Sequence, residues 1–399
     1  MKLAYFVLPH LGGTYTVFRQ LRRGLAPYGI DLCWLGLRHA GDRLDPALVE
    51  EEPAGTLIDA TAFPNGKALA GRLARTIGAM QVDGVIVNVL SDQVQTNIVR
   101  YLPPGILRLM VVHNITPGTY AAASAIEPHV HTTICVCRRA RDDLIERHGF
   151  CPERIFVIPN AISMDDFSAQ DRAPPPASDG LRLLFLGRIE DASKGVLWLP
   201  EILARSPASA SLTVAGDGPD LSRLRAAFPS RSSRVTFLGS VPAPAVAGLM
   251  ARHDVFLMPS RYEGLPMALV EAMAAGCVPI ATALRGVTDM VVDNGLDGLL
   301  FPPGDRKAAA DFVQLLDGDR LRLRRLSAAA RWKIARNFTA DRMAMRYAQV
   351  IGRTEANPPP LAPCLSIDDW SLPKGLRPGL RTYLPGPVKN WLRLVRERL

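Results

Sequence analysis

The sequence predicts an α/β protein made of two doubly wound, parallel-sheet domains in tandem. Three observations carry that class. Short, continuously apolar runs alternate with amphipathic stretches, the pattern of strands buried on both faces by covering helices. The alternation stops at "SAQDRAPPPASDG", residues 168–180, where proline, serine and charge replace it, and then restarts; this stretch reads as an interdomain linker. A length of 399 residues with 48% hydrophobic side chains exceeds one core and suits two of ordinary size.

The first strand is read in "KLAYFVL", followed by "PHLGGTYTVFRQLRRGLAPYG", a glycine turn entering a helix with Val17, Leu21 and Leu25 on one face. Strands follow in "IDLCWLGL", "GTLIDA", "DGVIVNVL", "LRLMVVHN", "TTICVC" and "RIFVIPNAI", with helices through "KALAGRLARTIGAM" and "RRARDDLIERHG". Together they make a first domain over 1–167. Beyond the linker, strands in "LRLLFLGRI", "SASLTVAGDG", "RVTFLGSV", "DVFLMP", "VPIAT" and "GLLFPPGD" alternate with helices to give a second domain over 181–335. A long helical stretch, "LRLRRLSAAARWKIARNFTADRMAMRYAQVIGR", comes next, and residues 356–399 read as a separate proline-rich and basic appendage.

Composition narrows the function. The richest apolar window, Leu265 to Leu284, contains Glu271 and Pro279, so no segment has the roughly 20 clean residues needed to cross a bilayer. "MKLAYFVLPHLGG" lacks a signal-peptide pattern, and the expectation is a cytoplasmic protein. Six cysteines (Cys33, Cys135, Cys137, Cys151, Cys277, Cys364) form no disulfide framework and point to a reducing compartment. "HVHTTICVC" would place His129, His131, Cys135 and Cys137 on one face of a continuous strand as metal ligands; threonines and a turn interrupt that face, and core thiols are the reading preferred. Six of the nine net positive charges fall within residues 371–399, which leaves the body no reason to bind nucleic acid.

Two constellations carry the chemistry. In "SRYEGLPMALVEAMAAG", Pro266 is placed at the first helical position and Gly276 at the stop, so the helix begins just after Glu263 and Gly264. Its free amides and positive dipole end make a seat for phosphate beside Gly264. Glu263 at the entrance and Glu271 on the helix wall then bracket an anion site with acceptors for hydroxyl groups, as a nucleotide sugar requires. In "FLGRIEDASKGV", Gly187 and Arg188 end a strand and Lys194 opens the next helix, placing a guanidinium fork and a point charge where parallel sheets bind ligands. "GDGP" from Gly216 and "FLGSVP" through Gly239 are glycine turns at two more strand ends; neither makes a dinucleotide fingerprint.

Taken together, "GRIEDASKG", "GDGP", "VTFLGSVP", "EGLPMALVEAMAAGCVPIAT" and "VIPNAISMDDF" resemble the retaining family 4 glycosyltransferases over about residues 1–350. The resemblance implies the GT-B fold, two Rossmann-like domains facing a central cleft, with a crossover helix over 336–355 returning to the first. It implies that Glu263 binds the donor sugar, Glu271 the ribose, and Arg188 with Lys194 the diphosphate. The helix entrance at Gly264, Leu265 and Pro266 and the turns at Gly187 and Gly216 would complete the donor site. Leu238, Gly239 and Val241 would frame the base. Gly12 and Gly13 resemble the family's glycine loop, and His113 a histidine found near the reacting sugar carbon. Ala161 departs from a glycine often found there, which touches the hinge more than the chemistry. The implied reaction is a metal-independent, front-face transfer of a hexose from a UDP- or GDP-sugar to a glycan or lipid-linked acceptor in cell-surface polysaccharide synthesis.

Two other readings stand beside it: a non-catalytic nucleotide-sugar-binding subunit or scaffold, and an NAD-dependent enzyme, which the missing fingerprint weakens. The tail "GPVKNWLRLVRERL" spaces Val388, Trp391, Leu392, Val395 and Leu399 along one helical face beside Lys389, Arg393 and Arg396. Residues 386–399 are therefore a candidate for attachment to the inner face of an anionic membrane, or for packing on the first domain.

Overall fold

A computed structural model describes residues 1–9, 13–42, 55–168, 180–229, 233–377 and Val388. The chain divides into two units, one holding Met1–Ala161 with the described residues from Ala340 to Arg377, the other Ile162–Thr339.

The first unit runs β1 (Lys2–Phe6), α1 (Gly13–Leu25), β2 (Asp31–Arg38), β3 (Thr56–Asp59), α2 (Gly66–Ala79), β4 (Gly84–Asn88), α3 (Gln93–Asn97), β5 (Leu107–Val112), α4 (Pro117–Ile126), β6 (Thr132–Cys135), α5 (Arg138–His148) and β7 (Ile155–Val157). The strands form one parallel sheet in the order β3-β2-β1-β4-β5-β6-β7. Every residue of β4, β5 and β6 is buried, which is why these strands read as unbroken apolar runs. Side-chain caps set the helix starts: Asn65 accepts from the Ala68 amide, Asp92 from Gln95 and Thr116 from Thr119. β6 spans only Thr132–Cys135, so His129, His131, Cys135 and Cys137 do not share one strand face. Instead the His131 ring accepts from the Arg108 amide at 3.0 Å, and both thiols are buried.

The second unit contains α6 (Asp165–Ser168), β8 (Arg182–Leu186), α7 (Asp191–Lys194), α8 (Leu199–Arg205), β9 (Ser211–Ala215), α9 (Leu221–Ala226), β10 (Val235–Gly239), α10 (Ala243–Ala251), β11 (Val255–Met258), α11 (Met267–Ala274), β12 (Val278–Thr282), β13 (Leu299–Phe301), α12 (Arg306–Gly318) and α13 (Arg320–Asn337). Its parallel sheet is ordered β10-β9-β8-β11-β12-β13. Strand order reverses between β8 and β11, and ligands of open α/β sheets bind outside the carboxyl ends at such a switch.

Two boundaries differ from the sequence reading, and a third falls where the structure is not described. Residues 162–167 belong to the second unit, because Ile162 and Phe167 bury in a cluster with Leu184, Phe256 and Ile334. The linker expected over 168–180 lies, apart from its ends, outside the described residues. The long helical stretch is two helices: α13 stops at Asn337, and α14 (Ala340–Ala356) belongs to the first unit. Phe338 and Thr339 leave the helix because the Phe338 carbonyl accepts from the Ile162 amide and Thr339 bridges Ile162.

α14 packs against α1 so closely that a Cβ on Gly24 would lie 2.5 Å from that of Ala344. As far as Arg377, the chain beyond it is no separate appendage. Residues 357–377 form a strap on the first unit: the Ala362 amide donates to Pro128 O and the Leu365 amide to Arg100 O. The Ser371 carbonyl accepts from Asn97 Nδ2 and Tyr101 Oη, Trp370 stacks on Tyr101 at 4.6 Å, and Leu376 is buried. The local pattern missed this strap because irregular backbone pairing leaves no periodicity to read. The expected basic tail helix over 386–399 lies outside the described residues apart from Val388. Among the described residues, no helix is long and apolar enough to cross a membrane.

Candidate active site

The carboxyl ends of β8, β9 and β10 are tied in sequence by their glycines. Gly187 N–H donates to Ala215 O, and Gly216 N–H to Gly239 O at 2.7 Å. A Cβ on Gly216, whose φ is +133, would lie 1.9 Å from Gly187 O, so only glycine permits this approach. Arg188 follows with its side chain 67% exposed and Glu190 at 3.9 Å as its neighbouring carboxylate. At the edge strand β10, Leu238 is exposed, Gly239 turns through φ +71, and Val241 packs partly against the core.

Between β8 and β11 two loops are clasped. Lys194 Nζ donates to Glu263 Oε1 at 2.6 Å, and Ser260 Oγ donates to the same oxygen at 2.7 Å. Both charges are largely enclosed, with Lys194 27% and Glu263 10% exposed. The clasp is backed by Arg261, which donates from Nε to Asp191 O and from Nη2 to Asp191 Oδ2 while stacking 4.1 Å over Trp198. The Arg261 amide donates to Ser193 O, and Asp191 in turn accepts from the Leu197 amide. Gly195, at φ +60, ends α7 where a Cβ would meet Pro259 O at 2.0 Å. The spacing of the two loops is thus held by backbone contact, a guanidinium fork and a stacked ring.

After Glu263 and Gly264 the chain enters α11, but Pro266 is its cap and not its first helical residue. Its ψ of 92° is non-helical, and its carbonyl accepts from the Leu269 and Val270 amides. The amides of Met267 and Ala268 therefore have no preceding turn to donate to. Leu265 packs partly on the core, and Met267, Ala268 and Glu271 are the α11 residues left incompletely buried, spaced along one face.

In the first unit, His113 follows β5 directly. Its Nε2 lies 2.9 Å from Asn88 Oδ1, which also accepts from Tyr5 Oη at 3.1 Å, while Asn88 Nδ2 donates to Phe6 O. The amide is oriented by Phe6, so Oδ1 is the acceptor and His113 carries its proton on Nε2, leaving Nδ1 as an acceptor. Burial pushes the His113 pKa down to about 4, which keeps the ring neutral. Gly13 begins α1, with open space where a side chain would stand; Gly12 lies outside the described residues.

Two family descriptions match the chain: "Glycosyltransferase Family 4" over residues 11–166 and "Glycosyl transferases group 1" over 180–317. The chain belongs to the family 4 glycosyltransferases. Its sequence is 34% identical over 170 residues to the phosphatidylinositol N-acetylglucosaminyltransferase gpi3 subunit of Schizosaccharomyces pombe, covering 41% of this chain and 36% of that protein. It is 33% identical over 181 residues to a phosphatidyl-myo-inositol mannosyltransferase of Mycobacterium tuberculosis, covering 43% of this chain and 47% of that one. The chain thus matches between about a third and a half of the length of these curated relatives. Among solved structures, the apo lipopolysaccharide outer core galactosyltransferase WaaB is similar at TM-score 0.70 and 20% identity, covering 89% of this chain and 100% of that one. Anabaena HepE in complex with UDP and glucose is similar at TM-score 0.71 and 16% identity, covering 88% of this chain and 100% of that one. These neighbours share the GT-B fold.

In this family 4 member, the residues read from sequence in the second unit lie at or just beyond the carboxyl ends of β8 to β11, and Lys194 and Glu263 are in direct contact. His113 and Gly13 belong to the first unit. Sequence reasoning missed Ser260, Asp191 and Arg261, whose partners lie up to 70 residues away. It also missed Asn88, which did leave a signal: a lone amide closing the apolar strand "GVIVN". Among the described residues, no three His, Cys, Asp or Glu side chains are grouped to hold a metal ion.

Proposed function

We propose that the protein is a retaining hexosyltransferase that moves a sugar from a UDP- or GDP-hexose to a glycan or lipid-linked acceptor. The observation that carries this reading is the Lys194–Glu263 clasp, a cation for phosphate and a carboxylate for sugar hydroxyls held 2.6 Å apart at the sheet's switch point. Arg188, exposed and close by in the chain, adds the guanidinium fork a diphosphate needs. Glu271 takes the ribose, Leu238 to Val241 frame the base, and Gly12, Gly13 and His113 serve the reacting sugar from the first unit. A neutral His113 with Nδ1 accepting suits a sugar hydroxyl and not a phosphate.

In this scheme the bond from the anomeric carbon to the diphosphate oxygen breaks as the acceptor oxygen bonds on the same face. The departing diphosphate takes the acceptor proton. Preorganised cations and the α11 amides stabilise the leaving charge, so the proposal assigns no step to a divalent metal. A lipid-type acceptor is supported by the two curated relatives named for phosphatidylinositol glycosylation, and by the basic segment 386–399, which we assign to the cytoplasmic membrane face.

The test incubates purified protein with a panel of UDP- and GDP-hexoses and acceptors, with and without chelator, and reads the product anomer by NMR. An inverted anomer refutes retention, and loss of turnover with chelator refutes metal independence. Nucleotide-sugar binding with neither hydrolysis nor transfer would favour a non-catalytic subunit.

A further inference from the structure

The body of the protein is nearly neutral once its basic tail is set aside, yet one helix of the second unit concentrates charge of a single sign. α13, "RLRLRRLSAAARWKIARN", has seven Arg or Lys and no acid in 18 residues. Its core face is Leu323, Leu326, Ala330 and Ile334, all buried. At about 100° per residue, the opposite line carries Leu321, Arg324, Arg325, Trp332 and Arg336. Leu321 is 64% and Trp332 61% exposed, with the Arg336 guanidinium 4.7 Å over the indole.

Two of the cations have partners: Arg320 pairs with Asp317, and Lys333 with Asp293 and Asp297. Arg324, Arg325 and Arg336 have no ion pair among the described residues. The outward face sets two large apolar side chains, roughly 16 Å apart by helical rise, among guanidiniums without an ion pair, a mixture of indole, leucine and arginine suited to a membrane interface. A soluble polyanion would satisfy the charges and leave leucine and indole exposed. An anionic bilayer surface satisfies both, because headgroups meet the arginines and the interface takes up indole and leucine.

We propose that the solvent face of α13 docks the protein on a membrane surface containing anionic lipid. The docking is independent of which sugar is transferred and to what, and it uses a structured helix distinct from the basic tail.

The experiment mixes the full chain with phosphatidylcholine vesicles, with or without phosphatidylglycerol, and reads flotation and tryptophan emission. Binding is expected to require phosphatidylglycerol and to weaken roughly 30-fold in Arg324→Gln/Arg325→Gln, the loss of two surface cations near an anionic leaflet. The vesicle-induced blue shift should disappear in Trp332→Phe and persist in Trp391→Phe. Thermal unfolding of the α13 variants should match the parent, because all three positions face solvent. Vesicle binding unchanged in the α13 variants but lost on deleting residues 386–399 overturns the proposal. So does a chain that ignores vesicles while binding an acidic polysaccharide equally well in Trp332→Ala.

Discussion

Replacing Lys194 by methionine keeps most of the stem and removes the charge that Glu263 faces at 2.6 Å. From sequence alone such a change should spare folding and slow turnover. The structure alters that expectation, because the Glu263 carboxylate, only 10% exposed, would retain just the Ser260 hydroxyl on that oxygen. A hydrogen bond to a charged group contributes about 1.5–3 kcal/mol, and stranding an enclosed charge costs more than the bond's net worth. Lys194→Met is therefore expected to destabilise the second unit by about 2 kcal/mol. Glu263→Gln should cost less, since the amide still accepts from Ser260 and can face a partly hydrated ammonium. The double variant should be more stable than the sum of the two predicts, with a coupling of about 1–2 kcal/mol, yet remain as inactive as the worse single variant. Urea unfolding of the four proteins gives the cycle, and donor hydrolysis gives the activity. A coupling indistinguishable from zero would refute the clasp as a structural contact. Recovery of activity in the double variant would refute separate roles for the two charges.

Arg188→Ala, which disturbs no packed contact, should lower turnover by roughly 100-fold with unfolding unchanged, as for loss of one preorganised donor; steady-state kinetics beside a melting curve checks both. Glu271→Gln should weaken nucleoside-diphosphate binding by calorimetry, whereas Glu263→Gln should mainly lower turnover. Arg261→Lys should not rescue Arg261→Ala, because a single ammonium cannot span Asp191 O and Asp191 Oδ2 while stacking on Trp198; both variants should raise donor KM and lower kcat, and a fully active lysine variant would show that the fork is not needed. The pH dependence follows from His113 and His131, whose pKa values burial lowers from 6.5 to about 4. Folded, they stay neutral where the unfolded chain takes up protons, so stability rises with pH between about 4 and 6.5 and falls on acidification through that window. Tm measured across it should drop towards acid, and less steeply in His131→Gln.

The two parallel sheets were legible because their strands are buried on both faces and so read as unbroken apolar runs, and because glycines mark where they end. The same ends exposed Gly187 and Arg188, with Lys194 close after them, because cations at the carboxyl end of a parallel strand stand where such sheets bind ligands. What stayed hidden was held by distance or by irregularity. Arg261 reads as one more surface arginine until Asp191 and Trp198 close around it, 70 and 63 residues back in the chain. The strap of residues 357–377 looks like a linker, because prolines and isolated backbone bonds to Pro128 and Arg100 follow no period. The helix break at Phe338 left only a short local mark, the weak helix formers Asn337, Phe338 and Thr339, and the bridge from Ile162 is what fixes the break there.

The way α14 and the strap close the first unit bears on how the protein is made. Helix α14, which packs on α1 through the approach of Ala344 to Gly24, is translated only after the whole of residues 162–339. On the ribosome the strands β8 to β13 and the helices through α13 are available to fold at once, while the first unit waits with an apolar helix face open. A nascent chain stalled before residue 340 would present that face to chaperones or to other chains, so the first unit closes only after the strands and helices of residues 162–339 have been made.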